Sequence, residues 1–276
     1  MHNAVICAIA KNENIYIAEW VEYYFNLGFD HIYLYDNNAS TTEYVGNFIP
    51  EKYRGKVTIF NINDDYRYHL QTYYYKEFYA NYKKTFNWVA FFDIDEFLDL
   101  NNEFKDINEF LAQNKFNNIN QIVFKWKLFG DNGYLERDMS IPVHEFFKKP
   151  ATGLRQIGNC TKVIIKGKNA TEELGSHGHH VHFVSGEEEP WQAAFPSGQK
   201  ISVVTYQIQP SVYKNETIFV NHYMTKTLNE FLKYKWQRGD IWIQKVSYEI
   251  SYYKAVNTWT SAHEEYFRKW KQSSVE

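Results

Sequence analysis

The chain has 276 residues, a net charge of −3 and 19% aromatic residues, with 23 Tyr and 21 Phe. That length supports one large domain or two intimate ones around a sizeable core, and the near-neutral balance excludes a general electrostatic attraction to nucleic acid. The two cysteines, Cys7 and Cys160, make no disulfide framework and point to a reducing compartment.

The first hundred residues alternate between two hydrophobic periods. Residues 4–9 (AVICAI) predict a strand, and residues 15–28 place Ile17, Trp20, Val21, Tyr24 and Phe25 at helical spacing with Gly28 as the stop. Residues 31–35, 57–61 and 88–92 predict three more strands, and residues 67–84 a Tyr-rich helix. Strands and helices in turn imply an α/β fold with a mostly parallel sheet covered on both faces. Ligands of such sheets bind beyond the carboxyl ends of the strands. Three polar clusters fall there: AKNEN after the first strand, DNNAS after the second and DIDE after the fourth.

Beyond residue 100 the pattern is less regular. Residues 106–113 predict a helix, residues 121–126, 161–167 and 180–185 strands, and residues 227–237 and 241–256 helices. Five of the six prolines lie between 140 and 215, a region read as loops and short strands. Two lobes sharing one sheet fit this pattern better than two separable domains. No stretch has membrane-spanning length and no secretory leader is evident, so a cytoplasmic location is expected. Residues 221–276 carry a net charge of +3 against −6 for the rest. Together with their Trp and Tyr content, this suits either a peripheral contact with an anionic membrane face or an ordinary solvated helix face.

The carboxylates of DIDE pose the sharpest chemical question. Asp93, Asp95 and Glu96 crowd together behind an apolar strand, where repulsion and desolvation oppose them unless a cation binds. Mg²⁺ or Mn²⁺ takes oxygen ligands and often uses one or two carboxylates plus substrate phosphates. The alternative is that Asp93 or Asp95 caps a helix. Asp36-Asn37-Asn38 reads as a binding loop or as an Asx-rich turn. Asp131 in FGDNG reads as a general base or as part of a β-turn, with Glu136 and Asp138 as further base candidates. His222 reads as a metal ligand or as a buried structural histidine. His177, His179, His180 and His182 do not form a zinc signature, since no cysteine accompanies them.

Several stretches resemble glycosyltransferases of the GT-A fold, especially bacterial family-2-like enzymes and their relatives in family 92. They are AIAKNENIYIAEWVEYYFNLGFDHIYLYDNNAS, Gln71 in the Tyr-rich helix, NWVAFFDIDEFL, KWKLFGDNG, TKVIIKG and NHYMTKTLNEFLKYKWQRGD, together spanning residues 6–240. The resemblance implies a nucleotide-sugar-binding half (1–100), an acceptor-binding half (101–220) and a helical C-terminal segment (221–276). It implies a donor site made by Ala8, Lys11, Asn12, Glu13, Asp36, Asn38, Gln71, Asp93 and Ile94, with Lys226 and Arg238 on the diphosphate. Mn²⁺ or Mg²⁺ would be held by Asp93, Asp95 and His222, and Asp131 would serve as the base. The expected reaction is an inverting transfer, from a UDP-hexose to a hydroxyl of a surface glycan such as lipopolysaccharide or capsule. A nucleotide-sugar nucleotidyltransferase is the enzymatic alternative, weakened by a first loop without glycine. A non-catalytic nucleotide-sugar or glycan-binding module is the other.

Overall fold

The computed structural model describes residues 1–38, 43–62, 70–151, 160–167, 174–177, 180–183, 192–201, 213, 215–236 and 250–273. Its N-terminal part is built from β1 (His2–Ala10), α1 (Asn14–Asn26), β2 (His31–Asp36), β3 (Val57–Asn61), α2 (Leu70–Tyr82) and β4 (Phe86–Phe91). β1 lies at the centre with β2 and β4 parallel on either side, Ala10 opposite Asp36 and Cys7 opposite Phe91. β3 extends the sheet in parallel beyond β2.

The alternation of side chains explains why β1 is apolar throughout. Ala4, Ile6, Ala8 and Ala10 enter a core beneath α1, built on Ile17, Trp20, Val21 and Tyr24. Val5, Cys7 and Ile9 enter a second core on the opposite face, beneath Tyr75, Phe78 and Tyr79 of α2. A strand buried on both faces has no room for the polar half of a period-two pattern. Gly28, at φ +94°, ends α1 where the helical pattern stops, in a backbone region that a side chain would disfavour.

The remaining elements are β5 (Glu96–Asp99), α3 (Ile107–Leu111), β6 (Gln121–Leu128), α4 (Val143–Phe146) and β7 (Thr161–Lys166). They are followed by β8 (Leu174–His177), β9 (His180–Phe183), β10 (Ala193–Ala194), β11 (Lys200–Ile201) and β12 (Phe219–His222). The chain continues through α5 (Leu228–Glu230), a π-helical turn (Phe231–Lys235), α6 (Ile250–Val256) and α7 (Ser261–Ser273). The architecture is therefore the expected one: a mixed, mostly parallel sheet flanked by helices, with a helical C-terminal segment. The sheet departs from parallel at β7, which runs antiparallel between β4 and β6.

Two pairings place chemistry at the carboxyl end of β4. β12 pairs with β5 so that His222 lies opposite Glu96, and it runs parallel to the end of β6. β7 pairs Val163 with Phe91, which carries Lys162 to the level of the acidic turn. EFLD is thus a strand rather than the helix that a capping role for the aspartates requires. Among the described residues, no helix is long and apolar enough to cross a membrane.

Candidate active site

The backbone of the acidic turn is held from beneath by α1. The Trp20 indole N–H donates to the carbonyls of Asp93 (2.9 Å) and Glu96 (3.2 Å), and the Tyr24 hydroxyl donates to that of Glu96 (2.9 Å). Both aromatic side chains are fully buried. Residues spaced four apart on one helix face thereby add bonds to the turn's carbonyls, of which that of Asp93 also accepts from the Glu96 N–H at 3.0 Å.

The two aspartates meet different surroundings. Asp93 faces Lys162, whose ammonium lies 2.8 Å from Oδ2, and the Gln71 amide donates to Oδ1. Lys162 also lies 3.2 Å from Glu96, and the Asp93 N–H donates to Glu96 Oε2 at 2.8 Å. Burial works against the charge on Lys162, but Asp93 and Glu96 outweigh it and hold the ammonium protonated. One cation serves two carboxylates. Burial pushes the Glu96 carboxyl well above its ordinary range, against the pull of Lys162.

Asp95 turns the other way. Its Oδ1 lies 3.3 Å from His222 Nε2, and its Oδ2 accepts from Lys235 Nζ at 3.1 Å. The Tyr223 N–H donates to the Asp95 carbonyl at 2.9 Å, so β12 fixes the backbone as well. Burial opposes the charge on Asp95, yet Lys235, His222 and Lys226 together hold its carboxyl well below the usual range. Burial lowers the His222 pKa, which favours the neutral imidazole that binds metals. His222 Nδ1 is buried without a hydrogen-bond partner among the described residues.

Beside this pair opens a narrow cleft, bordered by Asn12, Glu13, Tyr16, Lys226, Glu230 and Lys235 among others. α1 begins here, and Glu13 at its N-cap makes no side-chain capping bond. A helix N-terminus beside two ammonium groups is an anion-binding arrangement. Lys226 is buried, with Nζ 4.2 Å from the centre of the Tyr16 ring. Burial lowers its pKa, while Asp95 and Glu13 support its charge. Lys226 has φ +54°; among the described residues, every other non-glycine residue with positive φ is an asparagine. A lysine held there costs about 1–3 kcal/mol, a strain that concentrates at binding sites. The capping box of Thr227 and Glu230 follows at once and fixes the start of α5. Glu230 also accepts from Tyr16 and Arg137, each at 3.0 Å, which ties α1 to α5 across the cleft floor.

The family model for glycosyltransferase family 92 matches residues 2–240. The chain belongs to glycosyltransferase family 92. The cleft beyond the carboxyl end of β4 is its candidate active site. Comparison with curated proteins finds no match. Among solved structures, that of an active-site mutant of LgtC is similar, with 14% identity and a TM-score of 0.31, over 60% of this chain and 57% of that one. The family 92 chain thus spans a little over half of that protein.

Of the residues expected in the site of this family 92 chain, Asn12, Glu13 and Lys226 line the cleft, and Asp95 meets His222 beside it. Asn38 accepts from the Asn12 N–H at 2.9 Å and joins the loops after β1 and β2. Lys11 is in the same loop without lining the cleft. Other expected residues are placed elsewhere. Ala8 and Ile94 are core residues with at most 1% exposure, so their side chains cannot touch a nucleotide. Asp36 accepts from the Asn38 N–H (3.0 Å) and amide (2.6 Å) and from the Val45 N–H (2.8 Å), so its carboxylate orders the turn instead of receiving a base. Gln71 donates to Asp93, which is also engaged by Lys162.

Asp131 is not brought to the cleft. It accepts from Tyr253 (2.6 Å), from the Gly133 N–H (2.8 Å) and pairs with His263 Nε2 (2.8 Å), and it is only 3% exposed. These bonds anchor α6 and α7 to the turn after β6. Glu136 accepts from Tyr266, and Asp138 from Ser140, both at the surface. Arg238 and His179 lie outside the described residues, as do the side chains of His177, His180 and His182 on β8 and β9. Lys162, Lys235, Tyr16 and Glu230 are the members of this site that the sequence reading missed. For Glu230 a local signal existed in the T-x-x-E of TLNE. Lys162 and Lys235 carry none, because their partners are far away in the chain.

Proposed function

We propose that this family 92 protein is a metal-dependent, inverting glycosyltransferase that moves a hexose from a UDP-sugar to a hydroxyl of a surface glycan. The observation that carries the reading is the pairing of Asp95 with His222, 3.3 Å apart, beside a cleft holding Lys226 and Lys235. Among the described residues, no three His, Cys, Asp or Glu side chains come together to hold a metal ion. Asp95 and His222 fit an ion whose shell is completed by substrate oxygens and water, the usual situation for Mg²⁺ and Mn²⁺ at phosphates. When bound, such an ion supplies charge neutralisation to a departing diphosphate.

The protein's own groups act around that chemistry. Lys226 and the N-terminus of α1 bind diphosphate oxygens, and burial against the Tyr16 ring positions the Lys226 ammonium before the donor arrives. Asn12 and Asn38 fix the loop that borders the nucleotide. Inversion, the uridine base and the surface-glycan acceptor follow the family resemblance, as do cytoplasmic work and a peripheral membrane contact through residues 221–276.

Nucleotide release tests the reading. The protein is incubated with Mn²⁺ and with UDP-, GDP-, CMP- or dTDP-sugars in turn. Slow release of UDP from a UDP-hexose is expected. UTP formation that requires pyrophosphate would assign a nucleotidyltransferase, and binding without turnover a non-catalytic module.

A further inference from the structure

Lys235 occupies an unusual place in the site. It closes the π-helical turn, in which the Trp236 N–H donates to the Phe231 carbonyl at 2.7 Å, five residues back. Such turns are rare and often occur at functional sites. Its ammonium donates to Asp95 Oδ2 (3.1 Å) and to the Met224 carbonyl (2.6 Å), and its side chain is 11% exposed. A compact cation thus rests on the same carboxylate that, on the reading above, takes a divalent ion. Both cannot hold that oxygen at full strength, because two cations brought to one oxygen repel each other. Lys235 also lines the cleft with Lys226, so an ammonium released from Asp95 remains beside the diphosphate position.

We propose that Lys235 is an exchangeable resident cation: its ammonium holds Asp95 in the empty site, yields Asp95 to the divalent ion, and moves to the donor diphosphate. The inference rests on Asp95 being a ligand of that ion. It makes metal and nucleotide binding mutually reinforcing, since the displaced ammonium gains an anionic partner only when diphosphate is present.

The test is calorimetric titration of Mn²⁺ alone, and of UDP at saturating Mn²⁺, into wild type, Lys235→Met and Lys235→Gln. Circular dichroism and thermal melting identify which variants are folded. Loss of the competitor is expected to tighten Mn²⁺ binding about tenfold and to weaken UDP binding by a similar factor, so that the coupling between the two shrinks. Mn²⁺ affinity in either folded variant equal to or below that of wild type overturns the exchange and leaves the metal reading intact. Absence of Mn²⁺ binding in wild type and variants, with or without UDP, overturns the metal reading and the exchange with it.

Discussion

The turns after β4 and after β6 each bury an aspartate next to a histidine, and the surroundings of the two pairs differ in kind. Asp95 and His222 stand beside an open cleft with Lys226 and Lys235 near them, and the carboxylate is held strongly ionised. Asp131 and His263 are enclosed by α6 and α7, where Tyr253, Gly133 and Asn257 complete the bonds. In the first pair the carboxylate is as buried as Asp131, but its cationic partner Lys235 lines the cleft. In the second, the bonds from Tyr253, Asn257 and His263 fasten the C-terminal helices to the turn, and that of Gly133 closes the turn itself. An aspartate–histidine pair therefore carries no function by itself. What lies on its open side decides whether it binds a ligand or fastens a helix.

The largest effect that would break this contrast is expected at the enclosed pair. Asp131→Asn leaves Tyr253, His263 and the Gly133 N–H facing a neutral amide, and removing one partner of such a buried cluster costs about 3–5 kcal/mol. Chemical denaturation should show that loss, while the transfer rate per folded molecule stays within about threefold of wild type. Unchanged stability with a rate lowered by about a hundredfold or more would restore Asp131 as the general base.

A smaller effect concerns Glu19, which lies near Arg137, Lys226 and Glu230 and so belongs to neither pair. Burial raises its carboxyl from 4.5 to about 7 against those cations, and its Oε1 has no hydrogen-bond partner among the described residues. The unfolded chain releases this proton near pH 4.5 and the folded chain near pH 7, so the folded state binds more protons between those values. Stability relative to Glu19→Gln is therefore fully present below pH 4.5 and falls by about 2–3 kcal/mol as the pH rises to 7. Denaturation of both proteins at pH 5 and pH 7.5 checks the slope. Parallel curves would mean that Glu19 is ionised at neutral pH like an exposed glutamate.

The same contrast explains what was legible in the sequence. Hydrophobic period identifies β1 to β4 and α1 because each is buried by neighbours close in the chain. It does not report that β7 inserts antiparallel between β4 and β6, and the pairing that brings Lys162 to Asp93 follows from that insertion. Asp95 and His222 were both readable as ligands, although 127 residues of chain separate them and only the β5–β12 register joins them. Asp36 and Asp131 look like site residues because turns and binding loops draw on the same residue types. The bonds that occupy their carboxylates come from neighbouring backbone in one case and from distant helices in the other. Lys235 owes its position to a π-helical turn, which residue spacing does not announce.

Binding of UDP to wild type and to Asp95→Ala, titrated by calorimetry with Mn²⁺ and with EDTA, tests the account most directly. Wild type should bind UDP about a hundredfold more tightly with Mn²⁺ than without it, and the variant should show no gain from the metal. Equal stimulation by Mn²⁺ in both proteins would contradict the assignment of Asp95 and His222 as the metal-binding pair of the cleft.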